Sequence, residues 1–171
     1  MKVYRIIKAD ISVKVGEVLA CSKILRKFPR GREKAENLLE EIRKRDYSNL
    51  YSRIDSIFVF PYDNQVEERA FQWASTYVPE PGSLCTVNLL ELEVDNVEWH
   101  DSRDYEDLYY LLNNFRKGMR DQAASKEKLY TNYWCGKCNM KELSIEGLVN
   151  SAKVISKTPY MVTHNKIMKI E

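Results

Sequence analysis

Hydrophobic and polar positions alternate with a period of two over Lys2 to Ala9 (KVYRIIKA). Val3, Arg5 and Ile7 face one way and Tyr4 and Ile6 the other, so both faces are largely apolar and the segment predicts a buried first strand. The pattern loses definition between Asp10 and Ala20 and predicts no element there. From Arg32 to Tyr47 the apolar positions Ala35, Leu38, Leu39 and Ile42 recur at helical spacing, with glutamates early and Arg43, Lys44 and Arg45 in the last turn, where they complement the helix dipole. Arg53 to Pro61 (RIDSIFVFP) reads as a second buried strand with Arg53, Asp55 and Ser56 at its entrance. A helix from Gln65 to Tyr77 follows, apolar at Val66, Ala70, Trp73, Ala74 and Tyr77 and stopped by Pro79, Pro81 and Gly82. The longest strand runs from Leu84 to Val94; its apolar set shifts phase from Cys85, Val87 and Leu89 to Leu90, Leu92 and Val94, which predicts a bulge and a bend near Leu89.

Trp99 and His100 close that region. Asp104 reads as the N-cap of a helix carrying Leu108, Leu111, Leu112, Phe115 and Met119, and a further helix spans Gln122 to about Tyr130. The stretch from Tyr130 to Ser156 organises the rest. It predicts an aromatic loop at Tyr133 and Trp134, then a strand over Lys141 to Glu146 with Glu142, Ser144 and Glu146 on one face and Leu143 and Ile145 on the other. Gly147 is expected to turn the chain into a second apolar run, Leu148 to Ile155, completing a hairpin. Thr158-Pro159 breaks the pattern before a last edge strand within Tyr160 to Ile170. Elements of both kinds in this order predict an α+β fold over residues 1–171 as a single domain, and a domain of this size buries roughly 70% of the surface of its unfolded chain.

Composition narrows the class. Apolar residues make up 44% and charged residues 30% of the chain, which excludes a disordered polymer, and no apolar run approaches the roughly 20 residues of a membrane span. The first residues lack the apolar segment of an export signal, so a reducing, cytoplasmic setting without membrane partners is expected. Cys21, Cys85, Cys135 and Cys138 are too few for a disulfide framework. Cys135-x-x-Cys138 has zinc-knuckle spacing, but no second pair follows and His100 and His164 are isolated, so free thiols and no metal are the expectation. The net charge of +2 hides an asymmetry: residues 1–47 carry +6, 48–110 carry −10 and 111–171 carry +6. Around the Pro29 and Gly31 break, Lys23, Arg26, Lys27, Arg30 and Arg32 form a basic loop that would suit the phosphates of a nucleic acid or serve simply as solvated surface. Arg5, a guanidinium on a buried strand, requires either an acidic partner or a bound anion.

The sequence contains no nucleophile elbow, phosphate loop, dinucleotide fingerprint or paired metal-ligand motif. It does contain, in order, an arginine on the first strand (Arg5), an Arg53-x-x-Ser56 entrance to an apolar strand, a Tyr133-Trp134-x-Gly136 segment and a Glu142-Leu143-x-Ile145 segment before a glycine. This series resembles the ADP-ribosyltransferase-like superfamily, in particular its diphtheria-toxin-type and nucleic-acid-modifying relatives. The resemblance implies two small packed antiparallel sheets flanked by helices, NAD as substrate, and ADP-ribosyl transfer to a nucleic acid or protein acceptor. It implies that Glu142 stabilises the oxocarbenium-like transition state, with Glu146 further along the same face as its rival. Tyr4 and Arg5 would contact the adenosine side of NAD, Arg53 and Ser56 would support the glutamate or the nicotinamide amide, and Tyr133 or Trp134 would provide an aromatic wall. Two departures from the family pattern matter: Arg5 stands where close relatives have histidine, and Met140, two residues before Glu142, is not the Glu or Gln of arginine- or asparagine-modifying members. A non-enzymatic nucleotide- or nucleic-acid-binding protein on the same fold is the competing expectation.

Overall fold

Strands outnumber helices and are arranged in one antiparallel sheet that curls until both of its faces are covered. The computed structural model describes residues 1–21, 31–78 and 80–170. The strands are β1 (Lys2–Lys8), β2 (Val18–Ala20), β3 (Ile57–Pro61), β4 (Leu84–Glu93), β5 (Glu98–Asp101), β6 (Ile145–Val149), β7 (Ser151–Thr163) and β8 (Ile167–Lys169). The helices are α1 (Glu33–Asp46), α2 (Val66–Ala74), α3 (Ser102–Leu112) and α4 (Lys126–Cys135). Strand order is β2-β7-β4-β1-β3-β6-β5, with β8 also on β7. The expected α+β class holds. Rather than two separate sheets, the strands form one continuous sheet, narrowest at the β1–β3 join, where only Val3 with Pro61 and Tyr4 with Phe60 are in register. Among the described residues no helix is long and apolar enough to cross a membrane.

Three apolar clusters follow from the curl. Val3, Ile7, Leu19, Ile57, Val59, Leu90, Leu92, Val149 and Val154 fill its inside. Helix α2 covers the other face of β1, β4 and β7 through Ala70, Ala74, Val87, Leu89, Tyr160 and Val162. Helices α1, α3 and α4 cover Phe58 and Leu148 with Leu39, Tyr105, Leu108, Leu129, Tyr133 and Trp134. The apparent phase shift in β4 has its cause here: Val87 and Leu89 pack toward α2 while Leu90 and Leu92 pack inside, so both faces are apolar without a break. The irregularity lies between Glu91 and Leu92, where Glu91 faces Ser156 and Leu92 faces Val154, leaving Ile155 of β7 as the extra residue. That bulge reverses the alternation of β7, so Ala152 and Val154 point inside while Tyr160 and Val162 point to α2.

Several local expectations are corrected. Helix α3 begins at Ser102, capped by Asp101, whose side chain accepts from the Arg103 N–H; Asp104 lies within the helix, and Phe115 and Met119 lie beyond its end. Helix α4 is capped by Ser125 and runs to Cys135, so Tyr133 and Trp134 sit on a helix, not in a loop. Strand β5, holding Trp99 and His100, and β2 in the undefined stretch were not anticipated. Residues 139–144 form turns, and the strand begins at Ile145. Gly147 is mid-strand: a Cβ there would lie 2.5 Å from Val97 Cγ1, 2.7 Å from Trp99 Cζ3 and 2.8 Å from Val59 Cγ2. The close approach of these side chains explains the glycine, and Gly147→Ala is expected to cost about 1–3 kcal/mol by overpacking, read as a lower denaturant midpoint at unchanged slope. The chain passes from β6 to β7 through Asn150 alone, and the two strands do not pair with each other. Pro159 does not break β7. Its carbonyl accepts from Ile170 N–H at 3.0 Å, so its missing donor faces the outer edge and not β4.

Candidate functional site

The strongest concentration of buried polar chemistry lies between the β3–β6–β5 part of the sheet and helices α1, α3 and α4. Arg53, just before β3, is its centre and is 1% exposed. Glu36 projects from the apolar stripe of α1 and is wholly buried. It grips Arg53 in a fork, with Nε donating to Oε2 at 2.9 Å and Nη2 to Oε1 at 3.2 Å. Arg53 Nη1 donates to Oε1 of Glu146 and to the Tyr133 hydroxyl, and that hydroxyl donates in turn to Glu146 Oε1 at 2.9 Å. The guanidinium also lies 4.2 Å from the Tyr105 ring centre, 4.8 Å from Phe58 and 5.0 Å from Tyr133. Strand alternation turns Glu146 and Leu148 to the helical side, leaving Ile145, Gly147 and Val149 on the other.

A buried cation needs this company. Desolvation alone would lower the Arg53 pKa, but Glu146, Tyr133 and Glu36 together carry it well above its ordinary value. Burial pushes the Tyr133 phenol well above its ordinary value and the Tyr105 phenol up to about 12, so both stay protonated and Tyr133 stays a donor to Glu146. His100, on β5 directly opposite Glu146, stacks on Tyr133 with ring centres 4.6 Å apart and meets Trp134 edge-on at 5.3 Å. Its Nδ1 lies 2.8 Å from the Tyr133 carbonyl, while its Nε2, the Ser56 hydroxyl and the Trp134 indole N–H are buried without hydrogen-bond partners among the described residues.

Burial lowers the His100 pKa below its ordinary 6.5, against the opposing pull of the Tyr133 carbonyl and Glu146 and with a small contribution in the same direction from Arg53. The unfolded chain therefore takes up a proton near pH 6.5 that the folded chain resists. The stability this confers is complete above pH 6.5 and is lost as pH falls toward the folded pKa. Thermal melts of His100→Phe should lose the part of the pH dependence below 6.5 that the wild type shows; identical profiles would exclude His100 as its source. The other histidine, His164, is exposed.

Of the residues expected to form a site, the structure brings Arg53, Tyr133 and Trp134 together with Glu146. Arg5 crosses to β3 where its pairing with β1 ends and donates to the Phe58 carbonyl at 2.5 Å. Ser56 is buried immediately before the same strand, two residues before Phe58. Tyr4 is elsewhere: it stacks on Tyr62 at 4.8 Å, and burial, with Tyr62, pushes its phenol up to about 12. Glu142 stands in the turn before β6, its side chain 41% exposed and held by Arg103 at 3.2 Å and Asn139 at 3.3 Å. Arg69 fastens that turn from below, donating to the Glu142 carbonyl at 2.6 Å and the Met140 carbonyl at 2.7 Å. Arg32 forms a bidentate pair with Glu106 and lies over the Tyr109 ring at 4.7 Å. Lys23, Arg26, Lys27 and Arg30 lie outside the described residues. No family model matches the chain, and no curated protein matches it.

Glu36 and His100 are the participants that sequence reasoning missed. The available signal for Glu36 was its place beside Ala35 and one helical turn before Glu40, on the side of α1 that carries Leu39 and Ile42. Cys138 donates to the Trp99 carbonyl at 3.2 Å and Cys135 is exposed. Among the described residues no group of three metal-ligating side chains converges.

Proposed function

We propose that this protein transfers ADP-ribose from NAD to a macromolecular acceptor, with Glu146 as the carboxylate that stabilises the oxocarbenium-like transition state. The observation that carries the reading is the fixed position of Glu146: one oxygen is held by Arg53 and Tyr133, Arg53 is held by Glu36, and the carboxylate stands on a strand beside the Arg53-x-x-Ser56 entrance. The resemblance to the ADP-ribosyltransferase-like superfamily requires a strand glutamate near such an entrance, and Glu146 answers it better than the half-exposed Glu142 in its turn. In the reaction, the bond between ribose C1′ and the nicotinamide nitrogen breaks and its electron pair leaves with nicotinamide. Glu146 accepts a hydrogen bond from the ribose 2′-hydroxyl as positive charge builds on the ring, which is where a preorganised charge lowers the barrier. A nucleophile of the acceptor then bonds to C1′ and releases its proton. Arg53, Tyr133 and Glu36 position Glu146 without themselves reacting.

The test is incubation with NAD labelled in its adenosine half, together with protein, RNA and DNA. Released nicotinamide with label on one acceptor class is the expected result, and the class labelled identifies the partner. Binding of NAD without nicotinamide release would favour a nucleotide-binding protein on this fold, and absence of both binding and release would end the proposal.

A further inference from the structure

Helical spacing puts Phe115 on the apolar face of α3, but the helix ends at Leu112 and leaves the residue 57% exposed, the most exposed aromatic among those described. That exposure is built into the backbone. Asn114 turns the chain at φ 64°, the Phe115 N–H donates to the Tyr110 carbonyl at 2.7 Å, and the Phe115 carbonyl accepts from the Gly118 N–H at 2.9 Å. Gly118 is pressed onto the Tyr110 ring, where a Cβ would lie 3.2 Å away, and Met119 behind it is buried. The loop is thus anchored on both sides while its ring stands in solvent, against the tendency of apolar area to leave water. A cavity of about 310 Å³ opens beside the ring, lined by Asn114, Phe115, Arg116, Lys117 and Gly118.

The charge of this loop is likewise uncommitted. Residues 111–120 contain no acidic side chain, and further along the chain Arg120 and Lys128 are paired with Asp104, Asp107 and Asp121. Arg116 and Lys117 meet no carboxylate among the described residues; Arg116 donates to the Gln122 carbonyl at 2.7 Å. We propose that the loop binds single-stranded nucleic acid, Phe115 stacking on a base while Arg116 and Lys117 meet the flanking phosphates. A solvent-facing ring beside two cations matches a strand that alternates flat bases with negative charges. A duplex fits poorly because stacking and pairing hide its base faces. An anionic bilayer wants a broad apolar face, and here a single ring stands beside Asn114 and near Gly118. An acidic peptide would occupy the cations and leave the ring without a role. Binding of this kind needs no NAD, so it goes beyond the transfer reading and either can fail alone.

Fluorescence anisotropy of labelled single-stranded RNA and DNA, without NAD and over a range of salt, provides the test. Phe115→Ala should weaken wild-type binding about five- to 150-fold, the loss of one base stack, without changing the salt slope. Phe115→Trp should retain the affinity. Replacing both Arg116 and Lys117 with alanine should flatten the slope of log affinity against log salt by about 1.4, at about 0.7 for each phosphate released. All three residues are exposed, so the variants should keep the wild-type circular dichroism spectrum. No binding by the wild type, equal affinity of the folded Phe115→Ala protein, or an unchanged salt slope in the double variant would overturn the proposal. So would Phe115-dependent binding of phosphatidylserine vesicles or polyglutamate in place of nucleic acid.

Discussion

Glu146→Gln is expected to cut NAD turnover about a hundred- to a thousandfold, the loss of one preorganised transition-state contact worth roughly 3–4 kcal/mol. The amide keeps the shape of the side chain and an oxygen for Arg53, so the protein should remain folded, which circular dichroism can verify beside the rate. Glu142→Gln provides the contrast. Its carboxylate is half-exposed and its pairing with Arg103 is a surface interaction of about 0–1 kcal/mol, so turnover should stay near the wild-type rate. If Glu146→Gln keeps more than half of wild-type turnover while Glu142→Gln loses it, the roles given to the two glutamates are reversed.

Arg53→Ala should be the most destabilising single change, because it removes the guanidinium shared by two buried carboxylates and leaves Glu36 and Glu146 facing each other. Breaking a buried pair from one side costs about 3–5 kcal/mol, and in a chain of this length each kcal/mol lowers Tm by about 2–4 °C. A melting temperature lower by roughly 10 °C is the expected result. The triple change Glu36→Gln, Arg53→Met and Glu146→Gln removes the charges together and should recover most of the loss, since replacing a buried ion pair by neutral groups of similar volume is often neutral. A triple variant no more stable than Arg53→Ala would show that packing of the Arg53 stem, and not charge, accounts for the cost.

Elements whose stability is local could be read from the chain. Helix α1 shows its apolar spacing and its terminal charges within fourteen residues, and it forms from Glu33 to Asp46 as expected. Strands β1 and β4, apolar on both faces, were legible for the same reason. Gly147 was read as a turn because glycine usually relieves backbone strain, whereas here it relieves side-chain crowding from Val59, Val97 and Trp99. Those three residues come from other strands and loops, and nothing beside Gly147 in sequence announces them. The six-residue alternation before it is equally ambiguous. It fits a strand, but its first four residues fold into turns fastened by Arg69, more than seventy positions before Glu142, and only Ile145 and Glu146 join β6.

The sequence alone therefore determined the α+β composition of the fold, most of its strands and helices, and the presence of an arginine at the mouth of an apolar strand. Which carboxylates meet that arginine was decided by tertiary structure. Glu36 lies 17 positions before Arg53 and Glu146 lies 93 after it, and only the curl of the sheet under α1 and α4 brings all three to one place. Local propensity fixes where a side chain points from its own element. The partner that compensates a buried charge is chosen by which elements pack together, and the desolvation cost of leaving Arg53 unmatched is what makes that choice strict.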